Sequence, residues 1–538
     1  MSATLHSFAF IRTGLAGLLC CTLLTFAAPD ARAGKKFDVM ETTVSDVHAA
    51  FLAKELTARE LVQLYLDRIA AFDQQGPAIN CVISLVPDAL EQADRLDAEF
   101  ARTGKLSGPL HGIPILVKDE IDVIGTATTQ GVKVFANYRP PLDAFPVDKL
   151  KKAGAIMLGK TTLSEFAGGD TYSTLFGHSR NPYALDRTVG GSSGGSGGAL
   201  AANFSTLAIG EETSSSLKRP AAWGALTGMR ATPGLISRSG MWDGHPIPTA
   251  QMGPMARTVT DLAKMLDGMV GYDPEDPITA FGVMHTPKTY TAFLDKGGLK
   301  GARIGVIREP IGRNSRPDAE DFQRVEAVFK KALGELATAG ATVMDVVIPD
   351  LKALTAKRGG DPALTDEALR VYLSRNPSSE FRSREDINNH PEMPHTFKVM
   401  TGQRGGRGGD NRAEPDPARI LESIRAREQL LMNIAKVMAE HQLDAIAFKT
   451  VEHEPTLIAE ATNPPYKSNG GVVSLNTFLI YTPIITVPMG YSDGKIPAGL
   501  TLMGLPYSEP TLIKLGYAYE QATHHRKPPS TTPAIAAR

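Results

Sequence analysis

Cysteine is nearly absent, since 538 residues carry only Cys20, Cys21 and Cys81. The first two fall in an apolar N-terminal stretch, and neither follows the small residue expected before a lipidated cysteine. A single remaining thiol cannot form an internal disulfide, so the fold must rest on core burial even in an oxidising compartment. Cys81 stands between Ile79, Asn80 and Val82, Ile83, the surroundings of a buried structural thiol rather than of a nucleophile. An excess of either charge is missing too. Fifty-seven basic and fifty-eight acidic side chains leave a net charge of −1, with no basic block able to grip phosphates or an anionic lipid surface. That argues against nucleic acid as a partner. No internal repeat occurs, and none of the twelve histidines falls in a recognisable local motif.

What is present begins with a leader. Arg12 precedes an apolar stretch over residues 15–28, and Ala31, Arg32 and Ala33 fit a small-residue cleavage site before Gly34. The run is shorter than the roughly 20 residues that span a bilayer, which disfavours an uncleaved anchor. The expectation is a signal peptide over 1–33, a mature domain over 34–538, and export to the periplasm or the extracellular space. No second stretch of similar apolarity follows, so no stable membrane insertion is expected after leader removal.

Thr57 and Glu60 form a capping-box pattern, and Leu61, Leu64, Tyr65, Ile69 and Phe72 recur behind it at helical spacing. Short apolar runs resembling buried strands lie at 113–117, 155–158, 206–209, 303–307 and 484–487, with helical patterns such as 420–438 between them. This alternation predicts an α/β fold whose sheet is covered on both faces. TGQRGGRGGDNR at 401–412 reads as a loop, and it lacks the aromatic residues that would stack on bases.

Three residues can support acyl transfer without histidine. Ser192 lies in GGSSGGSGG at 190–198, Ser216 lies twenty-four residues further on in GEETSSSLKRPA at 210–221, and Lys118 lies in HGIPILVKDE at 111–120. A lysine takes a serine's proton only when neutral, and its ordinary pKa is about 10.4, so it needs a poorly solvated site. The run from Ile113 to Val117 is expected to supply one; the alternative is a surface lysine paired with Asp119. The glycine stretch could also be a linker or a phosphate-cradling loop, although the apolar run at 199–204 reads as a buried helix. Gly190, Ser192 and Gly194 also satisfy GxSxG, the elbow of α/β hydrolases, but the turn-forming Asn181, Pro182 and Asp186 stand where that elbow needs a hydrophobic strand.

HGIPILVKDE, KTTLSEFAGG at 160–169, GGSSGGSGG, GEETSSSLKRPA, MGPMARTVTD at 252–261 and TPIITVPMGYSDGKIPAGLTLMG at 482–504 follow in this order. In this order, and with the spacing of the two serines, the chain resembles the amidase signature family from about Thr57 onward, most weakly over 350–418. The resemblance implies a single large domain with a mixed central sheet between helices, no metal and no cofactor. It implies Ser216 as nucleophile, Ser192 as bridging serine and Lys118 as base, with the N–H groups of Thr213, Ser214, Ser215 and Ser216 receiving the oxyanion. The implied partner is a small-molecule linear carboxamide, cleaved through an acyl-serine; a homodimer is left open. The chain departs from the family pattern at Ser214 and Ser215, where two glycines are usual, at Glu212 for aspartate and at Lys218 for arginine. Were either serine left-handed, the strain would be roughly 1 to 2 kcal/mol. The rival readings are an esterase or carbamate hydrolase with the same residues, a non-catalytic amide-binding homologue, and a transamidase subunit, the last disfavoured by the leader.

Overall fold

Eleven strands form one mixed sheet in the computed structural model, which describes residues 37–535 apart from 171, 313, 360, 401–415, 470–474 and 476–480. The leader expected at 1–33 and the glycine and arginine stretch at 401–412 lie outside the described residues. Fifteen strands, numbered along the chain, are β1 (Val82–Leu85), β2 (Pro114–Lys118), β3 (Ile156–Thr161), β4 (Tyr172–Ser173), β5 (Gly177–His178), β6 (Arg180–Asn181), β7 (Ala184–Thr188), β8 (Leu207–Glu212), β9 (Thr227–Arg230), β10 (Gln251–Ala256), β11 (Arg303–Val306), β12 (Thr342–Asp345), β13 (Ala445–Lys449), β14 (Ile484–Ser492) and β15 (Ile496–Met503). The large sheet runs β1-β3-β2-β8-β10-β9-β14-β15-β13-β11-β12, and β4–β5 and β6–β7 are separate two-stranded ribbons. Helices cover the sheet on both faces, as the alternating pattern predicts.

The site is positioned by the parallel trio β3-β2-β8, whose register sets Val117 beside both Lys160 and Ile209. Every residue of these three strands is buried, as expected of parallel strands packed on both faces. Each strand ends in polar residues, so the apolar run that embeds PILVK, IMLGKT and LAIGEE drags Lys118, Lys160, Glu211 and Glu212 into the interior with it. The carboxyl ends of parallel strands are where α/β sheets gather their functional groups.

Behind this end lies the helix Gly194–Ala201, buried along its whole length. The glycine stretch is therefore neither linker nor open loop over its second half. Its glycines permit close approach: a Cβ at Gly195 would stand 2.3 Å from the Thr162 nitrogen, and one at Gly198 would stand 2.4 Å from Cys81 Sγ. Gly198→Ala should cost about 1 to 3 kcal/mol by overpacking. Urea unfolding should show most of that cost recovered in the Cys81→Ala/Gly198→Ala double variant; an additive double variant would mean that the thiol is not the obstacle. Cys81 itself is fully buried and burial pushes its thiol pKa up, as a structural role requires.

Thr57 caps the helix Ala58–Phe72 through the expected box with Glu60. The weakly matching region contributes the helices Pro362–Ser374 and Arg384–Asn388, whose Tyr372 and Ile387, with Phe381, join Phe135, Phe166 and Trp242 in a separate aromatic cluster. Tyr372 also donates to Asp122 Oδ1 at 2.8 Å, which ties this cluster to the chain segment following β2. Among the described residues no helix is long and apolar enough to cross a membrane, and no group of His, Cys, Asp or Glu could hold a metal ion.

Candidate active site

Lys118 ends β2 with no exposed surface, which removes the surface-lysine alternative. Its partner is not Asp119, whose carboxylate accepts from the Thr129 hydroxyl at 2.5 Å and lies 4.0 Å from Lys160 Nζ. Lys118 Nζ instead donates to Ser192 Oγ at 2.7 Å and to Glu211 Oε2 at 2.8 Å, and stands 2.6 Å from Glu120 Oε1. The apolar run does desolvate the amine and by itself lowers its pKa, but the Glu120 and Glu211 carboxyls outweigh it, and the net shift is upward. In this arrangement Lys118 is an ammonium, where the sequence predicts a neutral amine. The strand register explains the difference: because Val117 pairs with Ile209, Glu211 lies just one residue past the level of the lysine on the neighbouring strand, and no local pattern in 111–120 announces it.

Two carboxyls this close in a dry site cannot both ionise. The Glu120 carboxyl is pushed well above the carboxylate range by burial and by its hydrogen-bonded neighbour Glu211, whereas Glu211 is held below that range by Lys118 and by the Thr213 hydroxyl, which donates to Oε1 at 2.7 Å.

Ser192 follows a cis peptide bond after Gly191 and is 1% exposed. The loop is clamped from two sides. Ser193 donates its hydroxyl to the Glu211 carbonyl and accepts from the Glu211 N–H, while the Ser193 N–H donates to the Ser216 carbonyl at 3.0 Å. Arg219 donates from Nε and Nη2 to the Gly191 carbonyl, from Nη2 to the Gly169 carbonyl, and pairs with Asp170 at 2.8 Å. Arg219→Lys cannot keep this fork. It should lower kcat by up to about 100-fold by displacing Ser192, with KM changing far less; an unchanged kcat would show that the clamp is dispensable.

Ser216 lies in the turn between β8 and the helix Lys218–Trp223 and is 7% exposed. Its backbone is thus fastened to the residue after Ser192, but among the described residues no hydrogen bond joins its hydroxyl to Ser192 or Lys118. The turn is organised by Glu212 Oε2, which accepts from the N–H groups of Leu217 and Lys218. Among the described residues the N–H groups of Thr213, Ser214, Ser215 and Ser216 have no acceptor. Neither Ser214 nor Ser215 has a positive φ, so the loss of two glycines brings no left-handed strain. Lys218 is fully buried near Glu212 and Arg230, and burial lowers its pKa to about 7.

The elbow reading fares poorly. A strand, β7, does precede the serine, but it belongs to a ribbon outside the central sheet, and the group against Ser192 is a lysine. Sequence reasoning missed Glu120, Glu211 and the clamping role of Arg219; two acidic residues two positions from a motif lysine and five from a motif serine were the available signal.

The Amidase family profile matches residues 60–513. The chain is 32% identical over 523 residues to a probable amidase of Arabidopsis thaliana, covering 94% of each protein. It is 33% identical over 502 residues to a glutamyl-tRNA(Gln) amidotransferase subunit from Chloroflexus aggregans, covering 90% of this chain and 98% of that one. The fold is similar to the X-ray structure of native peptide amidase from Stenotrophomonas maltophilia, with a TM-score of 0.78 and 35% identity over 92% of this chain and 99% of the other.

Proposed function

The chain belongs to the amidase family of amide-processing enzymes, and on that premise we propose that it is an exported hydrolase that cleaves a linear carboxamide through an acyl-serine. Ser216 attacks the carbonyl carbon, Ser192 takes the Ser216 proton, and Lys118, in its neutral form, takes the Ser192 proton. The oxyanion meets the N–H groups of Thr213, Ser214, Ser215 and Ser216, one good donor of this kind being worth about 3 to 4 kcal/mol. The relay then runs backwards to protonate the leaving nitrogen, and water releases the acyl group by the same route. The observation that supports this reading is the 2.7 Å hydrogen bond from a fully buried lysine to Ser192, on a loop bonded through backbone to Ser216. The likeness to a peptide amidase favours a peptide-type amide as substrate.

The test is to treat the pure protein with a serine-trapping fluorophosphonate and map the labelled peptide by mass spectrometry. Label on Ser216 is expected; label on Ser192 restores the elbow, and absence of label points to a binding protein. Matched amide and ester substrates separate amidase from esterase. A second reading, an amidotransferase component, is favoured by the relatives of that name; it requires that the chain hydrolyse amides only with partner subunits, so turnover by the isolated chain excludes it. Export is tested by locating the full-length chain and a version lacking residues 1–33, and retention of both in the cytosol would refute it.

A further inference from the structure

We propose, resting on the acyl-serine reading above, that Glu211 acts through Lys118 as a positioning residue that takes up and returns its proton, with Glu120 beside it as the neutral acid of the trio, so that the amine becomes a base by transfer inside the site. The relay as usually drawn needs a lone pair on Lys118. Here Lys118 Nζ donates to Ser192 at 2.7 Å and to Glu211 at 2.8 Å and lies 2.6 Å from Glu120 Oε1, the surroundings of an ammonium, which has no lone pair. Lys118 is 0% exposed and Glu120 and Glu211 are each 2% exposed or less, so the surplus proton has to stay inside the site, and Glu211 Oε2, on the carboxylate that Thr213 holds ionised, is the acceptor for it.

Charge balance decides whether such a transfer is feasible in a dry interior. With Glu120 protonated and Glu211 ionised, the trio of ammonium, carboxylate and carboxylic acid is neutral. Moving one proton from Lys118 Nζ to Glu211 Oε2 leaves an amine and two carboxylic acids, still neutral. Releasing that proton to solvent would instead leave one buried charge uncompensated, which burial penalises heavily. In the forward direction the Lys118 N–H bond to Glu211 breaks and a Glu211 O–H bond forms; the freed pair on nitrogen accepts the Ser192 proton; Ser192 accepts the Ser216 proton; and Ser216 Oγ bonds to the carbonyl carbon as the C=O pair moves onto oxygen. On collapse the C–N bond breaks, the departing nitrogen takes its proton from Ser192, Ser192 recovers one from Lys118, and Glu211 returns the first.

The other charged groups around the trio are already engaged. On β3, Lys160 donates to the Ile121 carbonyl at 2.6 Å and lies near Asp119, adding its field to Glu120. Asp119 is held by Thr129 and Gly131, and Asp122 by Thr128 and Tyr372. On β8, Glu212 is bonded to the turn before Lys218, with Arg230 beyond. From the same strand's end, Thr213 donates to the Glu211 oxygen that Lys118 does not touch, which keeps Glu211 the ionised member.

The experiment is the pH profile of kcat/KM for an amide substrate, in the full chain and in Glu211→Gln, Glu211→Asp, Glu120→Gln and Thr213→Val, with thermal unfolding as the check of folding. In the unmodified chain the acid limb follows Glu211, which titrates below the usual carboxylate range, so activity persists well into acid. Glu211→Gln removes the acceptor, and its limb should move at least two pH units alkaline, a loss that reaches about 100-fold at pH values acid of both limbs and recovers as pH rises. Glu211→Asp should keep the acid limb at reduced rate. Glu120→Gln replaces a neutral acid by a neutral amide, and should lower the rate evenly across pH. Thr213→Val, which leaves Glu211 in place, should move the limb alkaline by about one unit and serves if Glu211→Gln does not fold. An even loss across pH in Glu211→Gln, or an unmoved limb in Thr213→Val, overturns the proposal. Fluorophosphonate labelling of the unmodified chain separates the two failures. Absence of label on Ser216 sinks the acyl-serine reading and this one with it, whereas label on Ser216 beside an unmoved limb sinks this one alone.

Discussion

Ser216→Ala is expected to lose amide turnover by on the order of 10⁵ to 10⁶, the size seen when a nucleophilic hydroxyl is deleted from a serine hydrolase. The fold should survive. The hydroxyl makes no hydrogen bond to Ser192 or Lys118 among the described residues, and the contact that fastens the turn uses the Ser216 carbonyl, which alanine keeps. Thermal unfolding of the variant should match that of the unmodified chain within the small range typical of such deletions. The decisive measurement is kcat on a peptide amide together with the unfolding curve. Near-normal turnover in a folded variant would transfer the nucleophile to Ser214 or Ser215, the other hydroxyls of the run.

Lys118→Ala should separate bond types. A departing amine must be protonated and an ester's alcohol or phenol much less so, and general acid and base help is worth about 10² to 10⁴ in rate. The variant should therefore lose amide turnover near the upper end of that range, and ester turnover by an order of magnitude or more less. Equal losses on both substrates would remove Lys118 from the proton path. A second consequence concerns stability. Deleting one partner of a buried pair leaves an uncompensated charge and costs about 3 to 5 kcal/mol. Without the ammonium, the Glu211 carboxyl loses the main group that holds its pKa down, and burial drives it above its unfolded value. Below the unfolded carboxylate range the acid is neutral in both states; as pH rises past it, the unfolded state ionises first and stability falls. The deficit of Lys118→Ala should thus be large at pH 7.5 and shrink toward pH 4.5. Chemical denaturation at the two pH values reads this directly, and a deficit independent of pH would place the cost in lost packing.

Much of the fold is written in short-range pattern. PILVK, IMLGKT and LAIGEE are apolar enough to be read as buried strands, and the box at Thr57 and Glu60 caps the predicted helix. Boundaries drift where side-chain chemistry changes inside an element: β8 continues through Glu211 and Glu212, residues that propensity would assign to a turn. The fully buried helix Gly194–Ala201 was legible only at its apolar end, because its glycines are explained by Thr162 just after β3, by Pro220 and by Cys81 rather than by anything local.

The candidate site divides in the same way. Lys118 and Ser192 stand out by motif, and they meet at 2.7 Å. The protonation state of Lys118 was not legible. It depends on Glu211, ninety-three positions away, and on Glu120, whose carboxyl turns back to the amine at the strand end. Arg219 was visible only as part of the frame LKRPA, and its grip on the Gly191 carbonyl is a long-range contact.

The helix Gly194–Ala201 owes little to its own sequence, with four glycines among eight residues and each glycine costing roughly 1 kcal/mol against alanine in a helix. Cut free of the sheet it would be coil. The loop bearing Ser192 therefore has no local scaffold to pre-shape it during folding, and catalytic competence should emerge in the last cooperative step, together with the close-packed interior, and vanish with it at the onset of melting.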